Sequence, residues 1–246
     1  MTENHVVTFY AIERIGDHKK VGRTAERFCK KNKIVGTFFS TPQGINTTLS
    51  GSKKALIELI ALLHKKFSLQ MKDQTWSISQ KPPFKRLKIK CRERLLPLKG
   101  DFDPVESRGT HLEHSDWNKL ISDPNTIVLD VRNDYETEIG TFKNSLIPNM
   151  ANLTEFPRFV DKELLANKDK KIAMFCTGGI RCEIASSYMI DKGFDEVYQL
   201  DGGLLRYLRD AGADSLWEGE CFVFDESVTV DKELQPGEYY QCFGCR

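Results

Sequence analysis

Residues 170–194 read KKIAMFCTGGIRCEIASSYMIDKGF. The run KIAMF is short, wholly apolar after its lysine, and of the buried parallel-strand kind. CEIASSYMIDKGF follows as an amphipathic run that stops at Gly193, where a helix would end. A loop of Cys176, Thr177, Gly178, Gly179, Ile180 and Arg181 joins them. Outward from this stretch the alternation continues. TIVLDV (126–131) and EVYQL (196–200) are further buried strands, and SDWNKLIS (115–122) and GGLLRYLRDAG (202–212) are further helices. Strands alternating with helices imply a small open parallel sheet with helices on its faces. Ligands of such sheets sit at the carboxyl ends of the strands. Cys176 follows one such end, and Asp130 and Arg132 lie at another.

The loop's composition points to chemistry. Gly178 and Gly179 are free to take positive φ, with no Cβ to block inward-facing N–H groups. The following helix contributes its positive end, and Arg181 a planar fork of donors. A thiol held there ionises easily, and the same donors would hold an anionic group carried on Cys176. Cys182 falls past the arginine and is expected on the helix rather than in the cup; the alternative is that it resolves a persulfide on Cys176 as a disulfide. Cysteine phosphatases space Cys and Arg by five residues; here the interval from Cys176 to Arg181 is four residues. The shorter loop encloses a smaller pocket, which suits sulfur better than a tetrahedral phosphate.

The first hundred residues differ in character. They hold 21 Lys and Arg against 7 Asp and Glu, a net of +14, whereas residues 101–246 hold 15 against 28, a net of −13. Opposite signs imply two domains with different partners, a polyanion for the first or else attraction between the two halves. VVTFYAIER reads as a strand and AERFCKKN as a short helix. GTFFSTPQGINTTLSG reads as two strands about a turn at Pro42–Gly44, and SKKALIELIALLHKKF as a helix capped by Ser52. FKRLKIKCRERLL alternates as a strand. The order βαββαβ predicts a ferredoxin-like α/β sandwich over residues 1–98. On its last strand Leu87, Ile89 and Cys91 share one face, and Arg86, Lys88, Lys90 and Arg92 the other, with Lys85 just before them. Cations spaced about 7 Å apart match a phosphate backbone, so this face is the candidate contact for RNA or DNA, although any one of these residues alone reads as part of a solvated outer face.

Residues 99–115, rich in turn formers, read as a linker, with the parallel-sheet domain over 116–215 and a tail over 216–246. HLEHSD offers His111, Glu113, His114 and Asp116, a set that iron could use. A helix start capped by Ser115 is preferred, since no second cluster supports a metal. Cys221, Cys242 and Cys245 supply three thiols, one short of a structural zinc site, and no metal is expected. Seven irregularly spaced cysteines argue against a disulfide framework and for the cytoplasm. No run approaches the roughly 18–20 apolar residues of a membrane span, and the first residues do not read as a secretory signal. No flavin or nicotinamide fingerprint is present.

VLDVRNDYE (128–136), CTGGIR (176–181) and GFDEVYQLDGGLLRYL (193–208) together resemble the rhodanese homology domain. GTFKNS (140–145) stands where that family has Gly-His-Ile-x-Gly-Ala, and Tyr207 where it has tryptophan. The whole chain is similar to a narrower family, the bacterial tRNA uridine hydroxylases of the UPF0176 type. The likeness lies in GTFFSTPQGINTTLSG, YETEIGTFKNS, CTGGIRCE, GECFVFDESVTV and QCFGCR, in that order. It implies formation of 5-hydroxyuridine at the wobble position of tRNA, with molecular oxygen as co-substrate and Cys176 as the essential cysteine, carrying a persulfide. The alternative is a sulfurtransferase that takes sulfur from a donor protein onto Cys176 and relays it to a protein or tRNA acceptor.

Overall fold

The computed structural model describes residues 4–71, 74–79, 83–224 and 228–240. The chain divides into two compact units, Met1–Leu95 and Leu96–Arg246.

The first unit runs β1 (Asn4–Ile12), α1 (His18–Lys31), β2 (Val35–Thr41), β3 (Gly44–Gly51), α2 (Lys53–Phe67), β4 (Thr75–Ser79) and β5 (Leu87–Cys91). Its sheet order is β4-β1-β3-β2-β5, antiparallel except that β5 runs parallel to β2. Alternate residues of β1 (Val7, Phe9, Ala11) enter the core with Phe38, Ile45 and Leu49. Val21, Ala25 and Cys29 of α1 meet them at helical spacing, as do Leu56, Leu59 and Leu63 of α2. Ser52 caps α2 by accepting the Ala55 N–H at 3.3 Å. The β2–β3 turn needs its glycine: Gly44 has φ +141°, and a Cβ there would lie 1.9 Å from the Ala11 carbonyl oxygen.

The fold is the expected α/β sandwich, with one strand reassigned. The sixth element of βαββαβ is β4, beside β1, and β5 is an added edge strand on the far side of β2. Thr75–Ser79 shows no alternation of buried and exposed residues, so its sequence carries no periodic signal. Helix α1 starts earlier than its apolar spacing suggested, because Asp17 caps it by accepting the Lys20 N–H at 2.8 Å.

The second unit runs β6 (Thr110–Leu112), α3 (His114–Ile121), β7 (Thr126–Asp130), α4 (Asp134–Thr137), β8 (Gly140–Phe142), α5 (Phe156–Phe159), β9 (Lys171–Phe175), α6 (Ile180–Asp191), β10 (Val197–Leu200), α7 (Gly203–Ala211), β11 (Trp217–Gly219), β12 (Cys221–Phe222) and β13 (Thr229–Val230). Its main sheet is wholly parallel, in the order β6-β10-β9-β7. Asp130 pairs with Phe175, so β7 and β9 end level and deliver Asp130, Arg132 and Cys176 to one edge. On one face Phe142 stands edge-on to Phe175, Tyr207 and Trp217 at 4.9–5.2 Å and tilted to Trp117 at 5.7 Å. Each such ring pair adds about 0.5–1.5 kcal/mol beyond burial. Helix α6 is buried along Cys182–Met189.

Three expectations change. The stretch 99–115 is not a free linker, since Phe102 is buried against Tyr188 and residues 110–112 form β6. The described part of the tail returns to the sheet unit through β11, which pairs with β8, and its β12 pairs with β13. At the start of α3 the cap position is Glu113, without a side-chain cap, rather than Ser115.

Candidate active site

Cys176 leaves β9 and enters a turn that ends at Gly179, whose φ of +88° starts α6. The turn is held from below by α7. Leu204 N–H donates to the Cys176 carbonyl at 2.9 Å, and Leu205 N–H to that of Thr177 at 3.1 Å. Only glycine fits at 203, since a Cβ there would lie 2.5 Å from the Gly179 nitrogen and 2.8 Å from the Cys176 oxygen. Gly178 is different: a Cβ there would meet open space. The loop therefore demands Gly179 and not Gly178.

Cys176 is fully enclosed. Burial pushes its thiol up, but the Cys182 thiol, the Arg181 charge and the N–H groups of Cys182 and Arg181 outweigh it and hold the pKa at about 6. Cys182 lies on α6, as its position implies, but its thiol also bonds to Cys176 and so takes part in the cup. Its own thiol is raised by burial and then by its bond and charge contact with Cys176. One sulfur is an anion at neutral pH and the other is its donor.

Arg181 departs from expectation in another way. Its fork closes on Glu136, through Nη1 to Oε2 at 2.5 Å and Nη2 to Oε1 at 2.7 Å. Thr177 Oγ1 donates to the same carboxylate at 2.9 Å. Glu136 is wholly buried, and its Oε2 also accepts the Asn133 N–H at 3.1 Å in a capping box. Burial raises this carboxyl, but the Arg181 bonds and charge win and hold it low. Arg181 reaches Cys176 as a charge already paired, not as an open anion clamp. The sequence signal for Glu136 was the Asn-x-x-Glu box at the start of α4.

Asp130 and Arg132 form a separate brace. Arg132 is bidentate on Asp130 at 2.9 and 2.6 Å and also donates to the Gly140 carbonyl, while Thr141 Oγ1 donates to Asp130. The guanidinium lies 5.0 Å from the Trp217 ring centroid, which ties the tail to this strand edge. Ile180 is the half-buried first residue of α6. Cys221 is buried, and its thiol is pushed up to about 12 by burial. Cys242 and Cys245 lie outside the described residues. Among the described residues no group of three or more His, Cys, Asp or Glu is arranged to hold a metal. His111 instead meets Glu183 at 3.0 Å.

Residues 4–95 match the model of the UPF0176 acylphosphatase like domain, and residues 113–210 that of the Rhodanese-like domain. A curated protein of Picosynechococcus sp. named tRNA uridine(34) hydroxylase is 44% identical over 98% of this chain and 81% of its own length. The chain belongs to the tRNA uridine(34) hydroxylase family. Two solved rhodanese-like domains are similar to part of the chain. One from Anabaena sp. is 21% identical with a TM-score of 0.37, over 44% of this chain and 78% of that one. One from Staphylococcus aureus is 22% identical with a TM-score of 0.34, over 40% and 90%.

In this family member the candidate RNA face lies on the first unit. Lys85, Arg86, Lys88, Lys90 and Arg92 are all exposed, and Leu87 and Ile89 pack on the core. Cys91, expected on the buried face, is exposed. Lys90 and Arg92 lie over the Phe39 ring at 5.6 and 4.8 Å. A groove of about 590 Å³ between α1 and β5 adds Arg23 and Lys30 to Arg86, Lys88 and Lys90, together with Glu26, which pairs with Lys30 at 2.6 Å. The sequence reading missed the α1 cations, which helical spacing alone places on one face but does not bring to β5. Among the described residues no helix is long and apolar enough to cross a membrane.

Proposed function

We propose that this chain hydroxylates uridine 34 of tRNA to 5-hydroxyuridine in the cytoplasm, with molecular oxygen as co-substrate and Cys176 as the reacting residue. The observation that carries the reading is the 44% identity, over 98% of the chain, to a protein named tRNA uridine(34) hydroxylase. The low thiol pKa of about 6 supports the role of Cys176, and the exposed cations of β5 support a grip on tRNA phosphates.

The reaction replaces the C5–H of uracil by C5–OH. One oxygen atom enters the base, and the other leaves as water, which takes two electrons and two protons. A thiolate and a thiol that close to a disulfide supply both electrons and one of the protons, and solvent supplies the other. The hydrogen bond from Cys182 to Cys176 supports these two residues as that pair.

Mass spectrometry of tRNA nucleosides from a strain lacking the protein tests the reading. Loss of a nucleoside one oxygen heavier than uridine, restored by the wild type and not by Cys176→Ser, is the expected result. Loss of a thiolated nucleoside instead would overturn it in favour of sulfur transfer from a donor protein.

A further inference from the structure

The tail segment Cys221–Phe224 alternates, and it alternates against the usual rule. Cys221 and Val223 face inward and are buried, while Phe222 is half-buried and Phe224 is 57% exposed. A solvent-facing position ordinarily carries a polar residue, and Phe222 at the end of β12 and Phe224 just beyond it leave apolar rings towards water without filling a core. The rings are not scattered. Phe222 stands edge-on to Tyr135 at 5.1 Å and to Phe224 at 5.2 Å. Tyr135 is itself 41% exposed, with its hydroxyl held by the Asn133 side chain at 2.9 Å. At the other end the Arg181 guanidinium lies 5.8 Å from the Phe224 centroid. Three linked rings thus lead from α4 across the tail to the arginine of the Cys176 loop.

We propose that Tyr135, Phe222 and Phe224 form a stacking surface for an unpaired pyrimidine base beside the Cys176 loop. The proposal rests on the tRNA reading above and names where that substrate's base sits. A base modified inside an anticodon loop must leave its neighbours before chemistry, and exposed aromatic rings offer it replacement stacking. Every base has a π-face, so rings alone would bind any base. Arg181, already held by Glu136, adds a fixed cation at the edge of the platform. A protein partner would use the same apolar area, but a leucine would serve it as well as a phenylalanine.

That difference defines the test. The probe is an anticodon stem-loop RNA with a fluorescent pyrimidine at the wobble position, titrated with wild type, Phe224→Ala, Phe224→Leu and Phe224→Trp. Melting temperature and the pH profile of Cys176 alkylation are measured on the same samples to show that the loop is intact. The wild type and the Trp variant are expected to quench the fluorophore, and the Ala and Leu variants to bind roughly 10-fold more weakly with the quench lost. A Leu variant that binds and quenches like the wild type, or an Ala affinity within about twofold, would overturn the stacking surface. If the wild type binds and hydroxylates an unlabelled uridine-34 stem-loop while those variants are unimpaired, only this inference fails. A wild type that neither binds nor modifies that RNA removes the tRNA reading and this inference together.

Discussion

Glu136 accepts both terminal nitrogens of Arg181, at 2.5 and 2.7 Å, across 45 residues of sequence. The Glu136 side chain is fully buried and that of Arg181 is 11% exposed. The pair therefore holds the mouth of the Cys176 loop at a fixed place and divides the arginine's field between a carboxylate and a thiolate.

Replacing Glu136 by Gln keeps the shape and removes the charge. Leaving a buried cation without its counter-ion costs about 3–5 kcal/mol, which urea unfolding would read. The Arg181 charge would then act on Cys176 undivided, so the alkylation midpoint of Cys176 should move down from about 6. A midpoint that rises would show that Glu136 mainly aims Arg181 rather than shares its field.

The Cys176 thiol should titrate near pH 6 when iodoacetamide labelling is followed against pH with mass mapping. An ordinary thiol titrates near 8.5. Cys176 is enclosed and Cys91 is exposed, so the midpoint, not the rank of rates, identifies the loop thiol. The hydrogen bond from Cys182 leads the effects that lower Cys176, so Cys182→Ala should raise the midpoint towards 8.5. No change in that variant would remove Cys182 from the cup.

The sheet unit was legible because its evidence is local. Buried parallel strands are continuous apolar runs, and the Cys176 loop lies in one stretch between a strand and a helix. What escaped was non-local. Glu136 reaches Arg181 only because α4 starts at the end of β7, next to β9, and a capping-box glutamate is normally accounted for by its own helix end. The strand Thr75–Ser79 escaped because its residues are half-buried or exposed in no fixed period, and its place is set by the open edge of β1. The exposed phenylalanines of the tail were visible as letters, but their approach to Arg181 depends on β11 pairing with β8.

His111 and Glu183 should give the second unit a pH-dependent increment of stability. The hydrogen bond to Glu183 raises His111 above its ordinary 6.5, against burial, with Asp201 adding and Arg108 opposing. A group raised by folding contributes fully below its unfolded pKa and loses that contribution as pH rises through the folded value. Melting temperature should therefore fall across the range above 6.5, and His111→Gln should flatten this part of the curve. Parallel curves for the two proteins would show that the contact carries no linked proton.

The β5 cations should account for a measurable share of tRNA affinity. Each phosphate neutralised contributes about 0.7–0.9 to the slope of log affinity against log salt. Arg86, Lys88 and Lys90 are exposed and line a groove with Arg23 and the Glu26–Lys30 pair of α1. Replacing Arg86, Lys88 and Lys90 together by Ser removes no core contact, since the strand packs through Leu87 and Ile89. Filter binding across a salt series should show weaker binding and a slope shallower by about 2–3. Cys176 alkylation should be unchanged, because its pKa is set by Cys182 and Arg181 in the second unit. If these cations serve instead to attract the acidic half of the chain, the triple variant would melt lower and keep its salt slope. An unchanged affinity and slope would remove β5 from the RNA contact and leave the α1 cations Arg23 and Lys30 as the next to replace.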